Sequence, residues 1–537
     1  MRDCHPDCNG NLKQFNMRVR NFEGYGLPVL FDEWAHPACY TYATLQEDPN
    51  IREFWGISLD KMWSGLFETS GGLGGAIWGY VDETFMVPEM KEGEPYWKTF
   101  AKTTKPDGFQ GECVGYGEWG IVDVWRREKP EFWSTKKAYS PVRILKTEFP
   151  DYEPGTPLVL PVFNRFDHTD LAEIRIEYTF KGETKPLSLE LPPHGKGSLL
   201  LPGDGWKPGD RIFVEFYTFD NKLIDAEMIT LGKEEVSFPS CEPGPGLSIE
   251  ESDEAVVVKG RNFSIPFSRS TGLIENAVSN GRVAIESGPY LDADIELDHL
   301  SGAETRKVAE KFIVSGESWR KDTLSVSLTD GKAEVFLSGS YGETDLDILM
   351  TVSPDGRIDI SYNAAGVPDG YVKQTGLYFI LPDAYSFLSW HRKGYWSYYP
   401  AGSFAGNREI VPLYNRNLVR YGECPDQPWP MDTHNYYYWA DAGADSEKPL
   451  TQTAKGLKEN IYYYTLSAKG KNAGKPVLSV VSPEAELACR IGRQPKGHLV
   501  LHVSDKWDYP EIAWGNYSKK LQAAPVSGNL TLCLNKN

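Results

Sequence analysis

The chain has 537 residues, a length that suggests about three to four domains. It carries 75 Asp and Glu against 56 Lys and Arg, a net charge of −19. This balance argues against a nucleic-acid or anionic-membrane partner, because both bind positively charged surfaces. Apolar residues (40%) and charged residues (24%) occur in ordinary globular proportions, which argues against wholesale disorder.

The N-terminal part has a strand–helix–strand pattern. The short apolar run 27–31 predicts a strand that is buried on both faces. Apolar residues recur at steps of three and four over residues 51–67, which predicts an amphipathic helix. After a glycine-rich break at 70–75, residues 76–81 predict a second buried strand. Two strands joined by one helix are expected to lie parallel with a right-handed crossover.

From residue 141 onward the hydrophobic pattern has a period of two. Ile176 and Tyr178, for example, alternate with polar residues. The dipeptides Asp330-Gly331 and Asp355-Gly356 predict hairpin turns between such runs. Antiparallel β-sandwiches are therefore expected.

The predicted domain limits follow from this change in pattern and from one linker. Residues 241–246 are rich in Pro and Gly, which oppose regular structure. We therefore expect domains at 1–140, 141–240 and 241–537. No apolar stretch is long enough to predict a transmembrane helix.

Polar side chains follow both predicted N-terminal strands. Glu33 and His36 follow the first strand, while Trp78, Asp82 and Glu83 lie along and after the second. In a βα barrel, functional groups gather at the carboxyl ends of the strands. Carboxyl groups beside an aromatic ring suit glycoside hydrolysis. Each residue also has a structural interpretation, such as a helix cap, a satisfied core histidine or a packed indole.

Several segments resemble the β-galactosidases of glycoside hydrolase family 2, in the order in which that family has them. Residues 31–36 (Phe-Asp-Glu-Trp-Ala-His) resemble the nucleophile segment, and residues 75–83 resemble a strand further downstream. Residues 120–142 resemble the segment that closes the family's barrel. Residues 262–273 and 390–406 resemble parts of its large C-terminal sandwich, with a weaker match.

The resemblance implies a multidomain, mostly β fold. It implies the last two βα units of a (β/α)8 TIM barrel, then an immunoglobulin-like β-sandwich and a large antiparallel β-supersandwich. The implied activity is that of a retaining exo-β-glycosidase, most simply a β-galactosidase acting on terminal non-reducing β-D-galactosyl residues. β-Glucuronidase specificity is an alternative within the same family.

The resemblance also implies roles for individual residues. Glu33 is the expected nucleophile, and His36, Trp34 and Trp78 are expected to contact the sugar. Another sugar-facing tryptophan of the family corresponds to Trp507 or Trp514, and the sequence does not distinguish them.

Metal ions enter only through the resemblance. Mg²⁺ or Na⁺ belongs to the complete enzyme, but Trp119 occupies the position of an expected Asn ligand for sodium, so no metal residues are assigned. The group Cys4, His5 and Cys8 has no second ligand pair at zinc-like spacing and is interpreted as loop.

The second catalytic carboxyl group has no counterpart in the sequence. The family places its acid/base on an earlier barrel strand, whereas only 32 residues precede Glu33. Asp82 or Glu83 could replace it only from the neighbouring strand. We therefore expect a C-terminal piece of a longer enzyme, with a carbohydrate substrate and with the N-terminal part or a second copy as partner.

Two other function classes remain open from the sequence. The chain could be a non-catalytic carbohydrate-binding or assembly module. It could also be a lyase or epimerase that uses the large sandwich, where His391, His434 and the cluster 436–439 offer polar and aromatic groups. The compartment is not predicted.

Overall fold

The chain divides into two compact units. The first comprises Met1–Phe132, Phe238–Lys393 and Ala401–Asn537, and the second comprises Trp133–Ser237 and Gly394–Pro400. The structure, a computed structural model, describes residues 27–35, 53–87, 112–117, 120–239, 244–297, 310–414, 426–431, 450–468, 476–494, 497–508, 511–512, 515–516 and 521–534. The predicted linker at 241–246 lies partly outside this range, and the group at Cys4–Cys8 and the cluster with His434 lie wholly outside it.

The first unit begins with the predicted strand–helix–strand arrangement. Strand β1 (Val29–Trp34) and strand β2 (Gly72–Ile77) pair in parallel and are connected through helix α1 (Glu53–Phe67). The parallel pairing predicted from the sequence is thus confirmed. An antiparallel pair, β3 (Glu83–Val87) with β4 (Glu112–Gly117), follows. Helix α2 (Pro130–Ala138) comes next and belongs partly to the first unit and mostly to the second.

The second strand lies earlier in the sequence than predicted. It runs through the glycines of residues 72–75, where the sequence predicts a break, and it ends before Trp78. A Cβ on Gly75 would lie 2.6 Å from the Trp34 ring, and one on Gly72 would lie 2.4 Å from a Leu66 methyl group. The glycines are therefore strand residues whose side-chain space is occupied by neighbouring large side chains.

The prediction that these strands are buried on both faces is wrong. Phe31 and Trp34 are fully buried, but Leu30 is 51% and Leu73 is 62% exposed. The buried side includes α1, which packs against β2 through Leu66 and other apolar residues. One face of this two-stranded sheet is therefore open and apolar.

The second unit contains two antiparallel sheets around one core, apart from a short parallel pairing of β6 with β12. A 3₁₀ helix at Leu171–Glu173 precedes β8. Ile176 and Tyr178 are buried in that core, as their alternation predicts. The three-stranded sheet has the order β10–β7–β5 and the five-stranded sheet the order β6–β12–β11–β8–β9, where the strands are β5 (Val142–Ile144), β6 (Glu148–Phe149), β7 (Leu158–Asn164), β8 (Arg175–Phe180), β9 (Glu183–Leu187), β10 (Lys196–Leu201), β11 (Arg211–Tyr217) and β12 (Leu223–Leu231).

The remainder of the first unit is a large, mainly antiparallel β-structure that spans residues 248–534. Its strands are β13 (Ser248–Glu251), β14 (Ala255–Lys259), β15 (Phe263–Ser268), β16 (Ile274–Ser279), β17 (Arg282–Glu296), β18 (Lys311–Ile313), β19 (Trp319–Thr329), β20 (Lys332–Tyr341), β21 (Thr344–Val352), β22 (Arg357–Ala365), β23 (Tyr371–Leu381), β24 (Tyr385–Arg392), β25 (Arg408–Pro412), β26 (Lys458–Ala468), β27 (Pro476–Val481), β28 (Leu487–Arg493), β29 (Leu499–Trp507), β30 (Glu511–Ile512), β31 (Gly515–Asn516) and β32 (Val526–Leu534). Short helices lie at Gly316–Ser318, Trp429–Met431 and α3 (Gln452–Lys455).

The pairings of these strands form two layers that share one strand. One layer has the order β13–β14–β15–β16–β17–β23–β29–β28, and the other has the order β25–β24–β26–β27–β32–β22–β21–β20–β19. Strand β26 joins them, because its first residues pair with β28 and its later residues pair with β24 and β27. Apolar residues from both layers form one large core. A mostly β, multidomain fold is confirmed.

Both predicted hairpin turns are present. Thr329 pairs with Lys332, so Asp330 and Gly331 form a two-residue loop, and both have positive φ values (51° and 77°). This backbone is typical of the tight turns that match strand twist. The turn with Gly356 connects β21 to β22. Among the described residues, no helix is long and apolar enough to cross a membrane.

Candidate active site

Glu33 lies within strand β1 rather than after it. Phe31 pairs with Gly75 and Trp34 pairs with Ile77, so two residues of β1, Asp32 and Glu33, lie opposite one residue of β2. Such a bulge increases the local twist and changes the direction of side chains, and it occurs often beside active sites. Glu33 is half-buried at the carboxyl end of its strand.

Trp78 follows the neighbouring strand at the same edge of the sheet. Its amide nitrogen donates a hydrogen bond to the carbonyl oxygen of Trp34 at 3.1 Å, and its side chain is 41% exposed. The peptide bond between Trp78 and Gly79 is cis. A half-exposed indole beside the strand that carries Glu33 offers a flat apolar face to a ligand.

Trp34 has a different environment from Trp78. Its side chain is fully buried, its ring lies 5.7 Å from the Phe31 ring, and it fills the space above Gly75. Contact between Trp34 and a sugar would require this ring to leave the core. In the structure as it stands, Trp34 therefore supports the position of β1.

Asp82 is engaged in a buried ion pair. Lys129 Nζ donates to Asp82 Oδ1 at 2.8 Å, the Gly120 amide donates to the same oxygen at 2.8 Å, and both charged side chains are fully buried. Burial raises the pKa of Asp82 to about 6, against the opposing effect of Lys129. Such a pKa would suit a general acid, but this carboxyl group has no access to a substrate.

The ion pair fixes a segment that extends the parallel arrangement. The amides of Ile121 and Val122 donate to the carbonyl oxygens of Gly79 and Tyr80, and Val81 forms a parallel bridge with Val122. Asp82 and Lys129 thus hold residues 120–129 beside the end of β2.

The sequence did not predict a second buried ion pair. Glu53 at the start of α1 accepts a hydrogen bond from Arg392 at 2.8 Å, and both side chains are 2% exposed. Arg392 also donates to the carbonyl oxygen of Ala405. The partners are 339 residues apart in sequence, so no local pattern could have indicated this contact between α1 and the large β-structure.

Other predicted site residues have varied outcomes. His36, Trp119 and Trp514 lie outside the described residues, as does the side chain of Glu83. Trp507 ends β29 and donates its indole N–H to Glu459 at 2.7 Å. His391 is buried against the rings of Tyr462 and Tyr463. No group of three potential metal ligands lies within the described part of the chain.

Comparison with known proteins gives one match in sequence. The chain is 26% identical over 203 residues to a β-galactosidase of Streptococcus thermophilus, across 36% of this chain and 19% of the relative. The chain is similar to a β-galactosidase. It spans about a fifth of the length of this curated relative, and no family model matches it.

Solved structures similar to the chain include further β-glycosidases. The match to a β-glucuronidase of Parabacteroides merdae has 10% sequence identity and a TM-score of 0.19. It spans 68% of this chain and 39% of the glucuronidase chain. The match to a β-D-mannosidase of Dictyoglomus thermophilum has 15% sequence identity and a TM-score of 0.18. It spans 47% of this chain and 24% of the mannosidase chain. The likeness to a β-galactosidase rests on the sequence match alone.

Proposed function

We propose that the chain carries the nucleophile part of a retaining β-glycosidase active site, with a β-galactoside as substrate. The observation that carries the proposal is the placement of Glu33 and Trp78 at the carboxyl edge of one parallel strand pair. The 26% identity to a β-galactosidase supports the choice of sugar. We assign to His36 a contact with the sugar hydroxyl groups.

The chemistry follows from a carboxylate beside the anomeric carbon. The Glu33 carboxylate attacks that carbon, the glycosidic bond breaks, and the leaving oxygen takes a proton from an acid. Water then attacks the anomeric carbon of the glycosyl-enzyme ester, the bond to the Glu33 carboxylate breaks, and the same acid group, now a base, removes the proton from water. Trp78 stacks against the sugar ring and orients it.

We propose that the acid/base belongs to a segment outside this sequence. Asp82 is committed to Lys129 and fully buried. The exposed Leu30 and Leu73 support the presence of further strands that cover this face in the complete enzyme. In this proposal, β1, α1 and β2 are the last units of a (β/α)8 barrel, followed by sandwiches with limits near 141–240 and 241–537.

A bound sodium ion does not fit the residues that the resemblance points to. Trp119 stands where a family member has an Asn, and an indole offers no oxygen atom to a hard cation. We therefore assign no catalytic step to a sodium ion.

The dependence of cleavage on the leaving group tests this proposal. Dinitrophenolate leaves without protonation, so the chain is expected to release it from dinitrophenyl β-galactoside, while phenyl β-galactoside, which needs an acid, is cleaved at least about 10³-fold more slowly. Glu33→Gln is expected to abolish release, and Asp32→Asn serves as the matched control on the same bulge. Absence of release, release that survives Glu33→Gln, or equal cleavage of both substrates would contradict the proposal.

A further inference from the structure

One face of the large β-structure carries neighbouring polar and aromatic side chains on four strands, which we call the polar grid. Strands β17, β23, β29 and β28 are adjacent, and the register places Tyr290, Tyr378, His502 and Arg490 in one row across them. Because side chains alternate between the two faces of a strand, these residues point away from the core. Their neighbours Leu291, Leu377, Val503 and Ile491 are buried in the core instead.

Four of the side chains on this face form a hydrogen-bonded network. His502 Nδ1 lies 2.7 Å from Asp292 Oδ2, so this nitrogen carries the proton and donates to the carboxylate. Gln374 Nε2 donates to the same oxygen at 2.5 Å, and Arg490 Nε donates to Gln374 Oε1 at 3.2 Å. The network holds the imidazole in one orientation and leaves Nε2 as its hydrogen-bond acceptor.

The network is mostly buried, with a small exposed fraction, and has aromatic neighbours. The side chains of His502 and Asp292 are 16% and 15% exposed. The rings of Tyr290 and Tyr378 are stacked at 4.9 Å, and the Tyr378 ring lies 6.0 Å from the imidazole. Polar groups that alternate as donors and acceptors beside tyrosine rings suit a ligand with several hydroxyl groups and an apolar ring face.

The centre of the grid is made of small residues. Gly376 pairs with Ser504 between the Tyr378–His502 pair and the Gln374–Trp507 pair. A Cβ on Gly376 would lie 2.0 Å from the Val503 carbonyl oxygen, so this position excludes any other residue. The hydroxyl of Ser504 is buried and has no hydrogen-bond partner among the described residues. This hydroxyl leaves one hydrogen-bonding position on the face that a water molecule or a ligand hydroxyl group would fill.

The charges on this face favour a neutral ligand. Arg490 faces the two carboxylates of Asp292 and Asp294. Burial lowers the pKa of His502, and Arg490 lowers it further against the effect of Asp292, so the imidazole is neutral at pH 7. The local charge is therefore about −1, which repels phosphates and uronates.

We propose that this face is a second saccharide-binding site for a neutral hexopyranose such as galactose. None of its residues belongs to the Glu33 site, so the proposal goes beyond the function proposed above. Asp292 and Gln374 bind sugar hydroxyl groups, His502 accepts from one of them, and the tyrosine pair contacts the apolar ring face.

Binding of D-galactose to the full chain tests this site. We expect saturation-transfer NMR to detect galactose bound to the Glu33→Gln/Trp78→Ala double variant, which lacks both the proposed nucleophile and the proposed sugar platform, so that the bound sugar reports on this face. Asp292→Asn and Tyr378→Ala are expected to weaken binding at least about tenfold, since each removes a main contact. Asp347→Asn, an exposed carboxylate on the other layer, is the matched control, with unchanged affinity.

Several outcomes would overturn the proposal. These are no detectable binding in the Glu33→Gln/Trp78→Ala variant, unchanged affinity when either site substitution is added to that variant, or binding of D-galacturonate as tight as that of galactose. Circular dichroism of each variant establishes that it is folded. If Asp292→Asn does not fold, Tyr378→Ala and His502→Gln decide the question in the same assay.

Discussion

The amide of Trp78 donates a hydrogen bond to the carbonyl oxygen of Trp34 at 3.1 Å. This bond connects the residue after the proposed nucleophile to the proposed sugar platform. The two indoles have opposite environments, because Trp34 is fully buried while Trp78 is half-exposed. The buried ring therefore supports the position of the proposed platform and of the strand that carries the proposed nucleophile.

Gly75→Ala tests this support. The added methyl group would lie 2.6 Å from the Trp34 ring, so β1 and β2 must separate or Trp34 must move. We expect the free energy of unfolding to fall by about 1–3 kcal/mol. We also expect the rate of dinitrophenyl galactoside cleavage to fall. Urea unfolding and an activity assay measure the two quantities. Ala76→Ser, at the next position, which is exposed, is the control and is expected to change neither the free energy of unfolding nor the cleavage rate.

Lys129→Met tests the buried ion pair. The pKa of Asp82 is raised from 3.8 to about 6 in the folded state. Between about pH 4 and pH 6 the folded chain therefore binds more protons at this carboxyl group than the unfolded chain does. The free energy of unfolding falls as pH rises through this range, because the buried carboxyl group must ionise. Without Lys129 that pKa rises further. We expect Lys129→Met to lower the free energy of unfolding by about 3–5 kcal/mol at pH 8. The loss is smaller at pH 5, where Asp82 is protonated.

Urea unfolding of wild type and Lys129→Met at the two pH values measures this difference. Lys61→Met, on helix α1, is the control and is expected to show no such pH dependence. An equal loss of stability at pH 5 and pH 8 would contradict the role of the Asp82 charge.

Lys137→Met tests the corresponding site in the second unit. Lys137 Nζ donates to Asp225 at 2.6 Å and to Glu227 at 2.8 Å. Burial alone would lower its pKa, but these two carboxylates raise it above 10.5. The stabilisation is therefore complete below about pH 10.5 and is lost as pH rises through the higher folded value.

The variant leaves two buried carboxylates without their cation, so we expect a loss of about 3–5 kcal/mol at pH 7. The control is Lys136→Met, at the neighbouring half-buried position. Thermal unfolding of both variants distinguishes them. Equal stability of the two variants would mean that the carboxylates are satisfied without Lys137.

The imidazole of His502 provides a direct probe of the polar grid. It is faced by Asp292 on β17, Gln374 and Tyr378 on β23, and Arg490 on β28. Asp292 raises and Arg490 lowers the His502 pKa, which is below 6.5 overall. In an NMR titration, Asp292→Asn should lower this pKa further and Arg490→Met should raise it. Shifts in the same direction would contradict the arrangement.

Local sequence patterns predicted local structure well. The steps of three and four predicted α1, the alternation at Ile176 and Tyr178 predicted a strand of the second unit, and Asp330-Gly331 predicted a tight turn. These features depend on neighbours within a few residues, where backbone preference and burial act together.

Features that depend on distant residues could not be predicted. The glycine run at 72–75 is a strand because Trp34 and Leu66 fill its side-chain space. The Glu53–Arg392 pair and the network at His502 join residues brought together only by the fold. Single residues such as His502 carry no local signal in a sequence that otherwise reads as ordinary strands.

The central claim is that Glu33 is the nucleophile of a β-galactosidase site, and covalent labelling tests it most directly. A dinitrophenyl galactoside with fluorine in place of the 2-hydroxyl group forms a slowly hydrolysed ester with the nucleophile and needs no acid. Mass spectrometry of the labelled chain is expected to show one sugar on the peptide that contains Glu33, retained in Asp32→Asn and absent in Glu33→Gln. An unlabelled wild-type chain, or a label on another residue, would contradict the claim.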